Sequence, residues 1–380
     1  MSIPFKSAPF KTNLGTTART MDKWFSDVIN VYEFANLHVG GSGLGTYTGN
    51  DAPCIQAALD AAFGSPSSPH GYANRYLNRP VFLPAGRYRI TDKLNLKYVV
   101  GGMIYGAGTW ATQIHLEASS APGGGVLWPL LDINGAANLT IKGISMQHHG
   151  LGGIMTGLNS CCVNLDWDGT GLGTANDGLH GNHFQDLNLG GGNHVVIIAN
   201  SGNGGADNLF TNCTVNGGND AAPNGNVTGY DVRGPAALNN KSILGGGGAE
   251  VAWMRCPTGG GSMSADGPSI PTHSGSDANF VMESGQVMVI SGGRTENTKL
   301  LRMTNGIVTV QGIACTLGPT TDYVKINGGK CIFQGAPLMN GKISGTGGEL
   351  YISGVYVEAA NTAPLSTYSG VKKWNPQGFV

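Results

Sequence analysis

The sequence predicts an all-β chain, a single-stranded right-handed parallel β-helix (solenoid) with an N-terminal capping α-helix. A pattern apolar-x-apolar-x-Gly-apolar recurs as Val308–Ile313, Cys331–Ala336 and Leu350–Val355, loosely as Val287–Gly292, and earlier as Leu139–Ile144. The later copies start about 20 residues apart, the period of a solenoid. In each copy residues i and i+2 face one side of a short strand, and the glycine permits the bend that follows. Composition agrees: charged residues are 12% and glycines number 63 of 380, against usual shares of about 25% and 7%. Glycine has no strict period of three and the hydrophobic fraction is 40%, which excludes collagen and argues against disorder.

Residues 1 to about 25 are polar and aperiodic, and read as an attachment arm whose order depends on a partner. Val28–Phe34 reads as a strand. Asp51 is a good N-cap, Pro53 suits a first turn, and Ile55, Ala58, Leu59 and Ala62 share one face before Gly64. This single helix, at about 51–63, is expected to close the apolar end of the solenoid, which would otherwise recruit another chain. Val81–Leu83 and Arg87–Ile90 read as strands about a Pro84-Ala85-Gly86 turn. Rungs follow at Leu94–Leu96, Met103–Ile104, Leu139–Met146, Val163–Leu165, Phe184–Leu187, Val195–Ile198 and Leu209–Phe210. From about 215 to 275 the period weakens, which predicts longer loops on shorter strands. The β-helix is expected over 26–358, with 359–380 a C-terminal tail that reaches a neighbouring subunit.

A net charge of -1 with no Lys/Arg run leaves no electrostatic footprint for nucleic acid or an anionic membrane. No apolar stretch of about 18 residues exists, so no membrane span is expected. Seven cysteines without a CxxC spacing read mainly as small core residues. Met1–Lys6 lacks the apolar run of a secretory signal, so the chain is expected either to stay in the cytoplasm or to leave by another route, such as lysis. Gly106–Ala111 imitates a dinucleotide fingerprint, but Thr112–Leu116 continues as strand, so it reads as a rung turn. With neither a phosphate loop nor a HExxH motif, no cofactor and no metal are expected.

The first ninety residues resemble a known family. Ala18–Phe34, the capped helix with Ile55–Ala58, and Val81–Tyr88 are similar to the N-terminal part of bacteriophage tailspikes of the pectate-lyase superfamily. Glu33-Phe34-Ala35-Asn36 and Gly40-Gly41-Ser42-Gly43 depart from that family's Asp-Phe-Gly-Ala and Gly-Asp-Gly signatures. The resemblance implies a homotrimeric virion spike, joined through its N-terminal arm to a phage tail or baseplate protein. Such spikes bind, and often cleave, a bacterial surface polysaccharide by hydrolysis or β-elimination. It transfers no catalytic residue, because active groups vary in position among these spikes.

Candidate chemistry therefore comes from the residues. Asp166 and Asp168 flank Trp167 at a rung end, with Cα atoms roughly 6.6 Å apart if extended. Glycosidase carboxylates sit about 5–9.5 Å apart, so the pair suits an acid and a nucleophile or base; the plain alternative is a polar turn. Asp177, His180, His183 and Asp186 crowd one stretch, where a histidine beside a carboxylate could abstract a proton. Inter-rung stacking is the plain alternative there. Glu283, Arg294 and Glu296 form a third cluster, in which Arg could hold a sugar carboxylate while a Glu handles the proton; an ion pair between coils is the competing reading. Trp110, Trp128, Trp167, Trp253 and Trp374 are expected beside turns as sugar platforms, with Arg255 a further contact. Two functions remain: a spike that binds and cleaves polysaccharide, and one that only attaches. Convergence of carboxylates in an aromatic-lined groove decides between them.

Overall fold

The computed structural model describes residues 27–71, 74–118, 126–151, 160–169, 178–201, 203–216, 227–249, 251–270, 278–296, 299–315, 320–335, 341–354 and 367–374. They form a right-handed parallel β-helix with three strand faces per coil. The first face holds Ser160–Asp166, His194–Ile198, Thr228–Val232, Ala252–Cys256, Phe280–Met282, Leu301–Met303, Thr320–Ile326 and Gly341–Gly345. The second holds His183–Gln185, Leu209–Thr211, Asn240–Ile243, Met263–Asp266, Val287–Ser291, Ile307–Gln311, Lys330–Gln334 and Glu349–Ser353. The long strands Leu94–Gly106 and Trp128–Lys142 bend across both faces. The third face runs from Gly86–Ile90 through Thr112–Ala118, Ser145–Leu151 and Asn188–Gly191 to Thr214–Asn216, and resumes at Ser269–Ile270.

The repeated pattern is the register. Ile307 lies opposite Val287, Lys330 opposite Ile307 and Glu349 opposite Lys330, all parallel. Gly292, Gly312, Gly335 and Gly354 stack at one corner with φ of 60°, 64°, 54° and 59°. Earlier coils place Asp186, Asn212 and Leu244 at that corner with φ of 50°, 52° and 50°. Each corner N–H donates to the next coil, as Asp186 to Thr211, Asn212 to Ile243 and Leu244 to Asp266.

Inside, apolar side chains form one continuous column. Phe184 and Phe210 stack at 4.6 Å, and Tyr230, Trp253 and Phe280 continue the file edge-on. Asn182 Nδ2 donates to Asn208 Oδ1 at 2.8 Å and Asn208 Nδ2 to Asn240 Oδ1 at 2.9 Å, so a buried polar ladder satisfies itself at a corner. Between about 215 and 275 the strands of the first two faces are four to five residues long and stay in register, while Ser269–Ile270 on the third face has two. The sequence period fades there because Gly229, Asn240 and Ser242 replace aliphatic residues.

The helix α1, Ala52–Phe63, caps the column as expected, burying Ile55, Leu59 and Phe63. A Cβ on Gly102 would lie 2.6 Å from the Phe63 ring, so glycine lets the cap seat. Asp51 does not cap with its side chain. Its buried carboxylate instead accepts from Arg89 N and pairs with His38 Nδ1 at 2.6 Å, while Asn50 Oδ1 accepts from Ala52 N. The expected strand Val28–Phe34 is corrected: only Ile29–Asn30 is strand, and Val31–Leu37 is a 3-10 helix. Asn30 Oδ1 accepts from Tyr32 N and Glu33 returns to Asn30 N, a reciprocal cap that turns the chain. At the other end Thr367–Tyr368 and Val371–Trp374 add one further coil within the expected tail. The arm 1–25 lies outside the described residues.

Candidate functional site

The first face carries a polar line along the helix axis. Register brings Asp132, Asn164, Ile197, Asp231, Arg255, Val281, Arg302 and Lys325 to one position on successive coils. Strand spacing sets these positions about 4.8 Å apart. Lys93 Nζ pairs with Asp132 Oδ2 at 2.7 Å, and Asn164 Nδ2 donates to Asp132 Oδ1 at 2.9 Å.

Two charged groups follow on that line. Arg233 donates through Nε to Asp231 Oδ2 at 2.8 Å, and through Nη2 to His194 Nε2 at 3.0 Å. With Nε2 accepting, the His194 proton sits on Nδ1, 3.2 Å from Asp231 Oδ2 but without hydrogen-bond alignment. Burial lowers the His194 pKa to about 4, with Asp231 opposing and Arg233 and Arg255 adding to the shift, so the ring is neutral at pH 7. In the second group Glu283 accepts from Arg255 at 3.2 Å and Arg302 at 2.9 Å.

Four buried polar atoms of this face lack a hydrogen-bond partner: Asn164 Oδ1, His194 Nδ1, Asp231 Oδ1 and Arg255 Nε. Asn164 and Asp231 are 4% and 3% exposed, so leaving these atoms unpaired costs about 1–3 kcal/mol each. Two are acceptors and two donors. Enclosed water, which both accepts and donates, would satisfy such a set.

The residues expected from sequence disperse. Asp166 accepts from Ser201 N and Oγ, one coil onward. Asp168 reaches back to Tyr98 OH at 3.0 Å, Asn134 at 3.1 Å and the Lys97 ammonium at 3.4 Å. The two carboxylates share no partner in these contacts. Asp186 sits at the left-handed corner and accepts from Asn212 at 2.6 Å, while His183 contacts Thr211 Oγ1 at 3.0 Å on the second face. The His180 backbone bridges Ala137 and Ala206, and Asp177 lies outside the described residues. Glu283 is separated from Arg294 and Glu296, which form an ion pair with each other on the third face. Arg255 and Glu283, which the sequence placed in different groups, are brought together.

The tryptophans need correction too. Trp253 lies within strand Ala252–Cys256 at 1% exposure, as an aromatic rung of the core rather than a platform. Trp128 is buried against His148, and Trp167 packs half-buried on the core. Trp110 is 75% exposed at the turn before Thr112 and remains an open aromatic surface. The side chain of Trp374 lies outside the described residues. Among the described residues no cluster of three His, Cys, Asp or Glu could hold a metal, and no helix is long and apolar enough to cross a membrane.

No protein-family model matches the sequence, and no curated protein matches it. Solved structures do match. ORF18 of Geobacillus virus E2 aligns at TM-score 0.51 and 13% identity, over 93% of this chain and 62% of that one. The enzymatically active domain of tailspike protein 2 of bacteriophage CBA120 aligns at 0.52 and 12%, over 93% of this chain and 46% of that one. The chain shares the fold of phage tailspikes. Pre-mature bacteriophage phi29 gene product 12 aligns at 0.52 and 13%, over 92% and 55%. This chain thus spans less than two thirds of the length of these proteins. At such identity the likeness is one of fold.

Proposed function

We propose that the chain is the β-helical part of a bacteriophage spike that attaches the virion to a bacterial surface polysaccharide. The observation that carries this reading is the pair of partly exposed arginines, Arg233 and Arg255, held by Asp231 and Glu283 along the first face. An extended glycan lying along the axis would meet the partly exposed Arg233 and Arg255 side chains at successive coils, and Trp110 offers a separate stacking surface. The tailspike fold supports the setting. The arm 1–25 then grips a tail or baseplate protein, and the spike is a homotrimer, which native mass spectrometry should show as three copies. A monomer would remove that part of the reading.

A second reading, depolymerisation of the same glycan, finds no base in His194, whose Nε2 accepts from Arg233, whose Nδ1 carries the proton and whose pKa burial lowers to about 4. The carboxylates first expected to perform cleavage, Asp166, Asp168, Asp186, Glu283 and Glu296, are each engaged elsewhere and do not converge. Attachment is therefore the reading with more support. Incubating host polysaccharide with the protein and sizing the products on a gel separates the two: chains of unchanged length leave attachment, and shortened chains establish cleavage.

A further inference from the structure

The third face carries a polar cluster separate from the line on the first. It lies on the strands Gly86–Ile90, Thr112–Ala118 and Ser145–Leu151, against the loop that holds Tyr47. Its hydrogen bonds fix where the protons sit. Gln113 Nε2 donates to the Trp110 carbonyl at 3.0 Å, which leaves Gln113 Oε1 for His115. His115 Nε2 therefore donates to that oxygen at 3.2 Å, and His115 Nδ1 accepts from His149 Nε2 at 2.8 Å. Burial lowers the pKa of His115 to about 4 and that of His149 below its ordinary 6.5, with the Arg87 charge adding in each case. Both rings are neutral at pH 7, so His149 Nδ1 carries a lone pair and can only accept.

His149 reaches this place through a bulge. Leu116 lies opposite His148 and Glu117 opposite Gly150, so His149 is the extra residue and its ring is re-aimed. Its neighbour His148 is buried instead, against the Trp128 ring and carbonyl. His149 Nδ1 has no hydrogen-bond partner among the described residues. Arg87 completes the cluster: its guanidinium lies 4.2 Å from the Tyr47 ring centroid, and that ring meets His115 edge-on at 5.0 Å. Arg87 is exposed and pairs with no carboxylate among the described residues. The nearby Glu117 is taken by the Tyr47 hydroxyl and Arg89 Nε. Tyr47 itself is held at a left-handed φ of 64°, the kind of strain that collects where a side chain is placed for a ligand.

We propose that this cluster is a binding site for an acidic sugar, a ring that carries hydroxyls and an anionic group. The Arg87 guanidinium can only donate and suits the anion through a fork of two hydrogen bonds, while His149 Nδ1 suits a hydroxyl. A neutral sugar leaves the Arg87 charge uncompensated, and an anion without a hydroxyl faces the Nδ1 lone pair. Trp110, 75% exposed at the head of the same strand, offers an apolar face for the ring. The site stands whether or not the first face binds glycan.

The test is saturation-transfer NMR of the full chain with methyl glucuronide, glucose 6-phosphate and neutral methyl glucoside. The two acidic probes distinguish a carboxylate from a phosphate as the anion. At least one of them should bind saturably and about tenfold more tightly than methyl glucoside. Arg87→Gln should remove that advantage, His149→Phe should weaken the acidic sugar by a similar factor, and Arg255→Gln on the first face should change nothing. Circular dichroism verifies the fold, and Arg87→Gln alone decides if His149→Phe is unstable, because Arg87 is on the surface. Acidic and neutral sugars bound equally, no binding of either acidic probe, or wild-type affinity in folded Arg87→Gln would overturn the site.

Discussion

Leu244 occupies the stacked left-handed corner that glycine holds in later coils, at φ 50° and 64% exposed. A left-handed conformation costs a residue with a Cβ roughly 1–2 kcal/mol, and an exposed side chain gives little packing in return. Leu244→Gly should therefore stabilise the protein by about 0.5–1 kcal/mol, after allowing for glycine's extra unfolded-state freedom. The converse is Gly292→Ala, at φ 60° with no neighbour closer than 3.8 Å to the new Cβ. It should cost about 1 kcal/mol from backbone strain alone. Urea denaturation of both variants measures this, and a stabilised Gly292→Ala would refute the corner argument. Arg255 makes the residue-level functional prediction: with Nε buried and unpartnered, its change to Gln should weaken glycan binding by about tenfold.

At the scale of elements, the asparagine ladder joins three coils through Asn182, Asn208 and Asn240. Asn208→Ala leaves the Gly205 carbonyl without the donor it now has at 2.9 Å and interrupts the ladder. The expected loss is about 2–4 kcal/mol, read as a shift in urea midpoint. A loss below about 0.5 kcal/mol would show that neighbouring coils close the gap. The elements were largely legible in the sequence. Rungs such as Val308–Gln311 and Cys331–Gln334 alternate aliphatic and polar residues and end in glycine, so their face and register could be read directly. The helix at Ala52–Phe63 was equally plain. The Val31–Leu37 turn was hidden, because β-branched and aromatic residues suggest a strand until Asn30 and Glu33 are seen to cap each other. The site was barely legible. Asp231 meets His194 and Arg255 only through inter-coil register, and the irregular number of residues per coil conceals that register from a linear reading. Trp253 misled for a related reason: Gly and Ser around it imitate a turn, yet its ring fills the core between Tyr230 and Phe280.

For the whole molecule, burial sets the response to acid. His115, His148 and His194 have pKa values lowered to about 4, in each case chiefly by burial, against an ordinary value of 6.5. Below pH 6.5 the unfolded chain takes up protons that these folded imidazoles refuse, so stability falls as pH drops and levels off near 4. A steady decline in melting temperature between pH 6.5 and 4 is expected, and a flat profile over that window would contradict the neutral, buried assignment. The buried carboxyl of Asp51, raised by burial despite its His38 contact, fastens the N-terminal loop to α1 within the same stack. On the proposed reading the column binds an extended glycan along its axis. The most direct measurement of that claim is titration of purified host surface polysaccharide into wild type and Arg255→Gln, followed by calorimetry. Saturable binding by wild type that weakens about tenfold in the variant is the predicted result; equal binding by the two, or none by wild type, would contradict it.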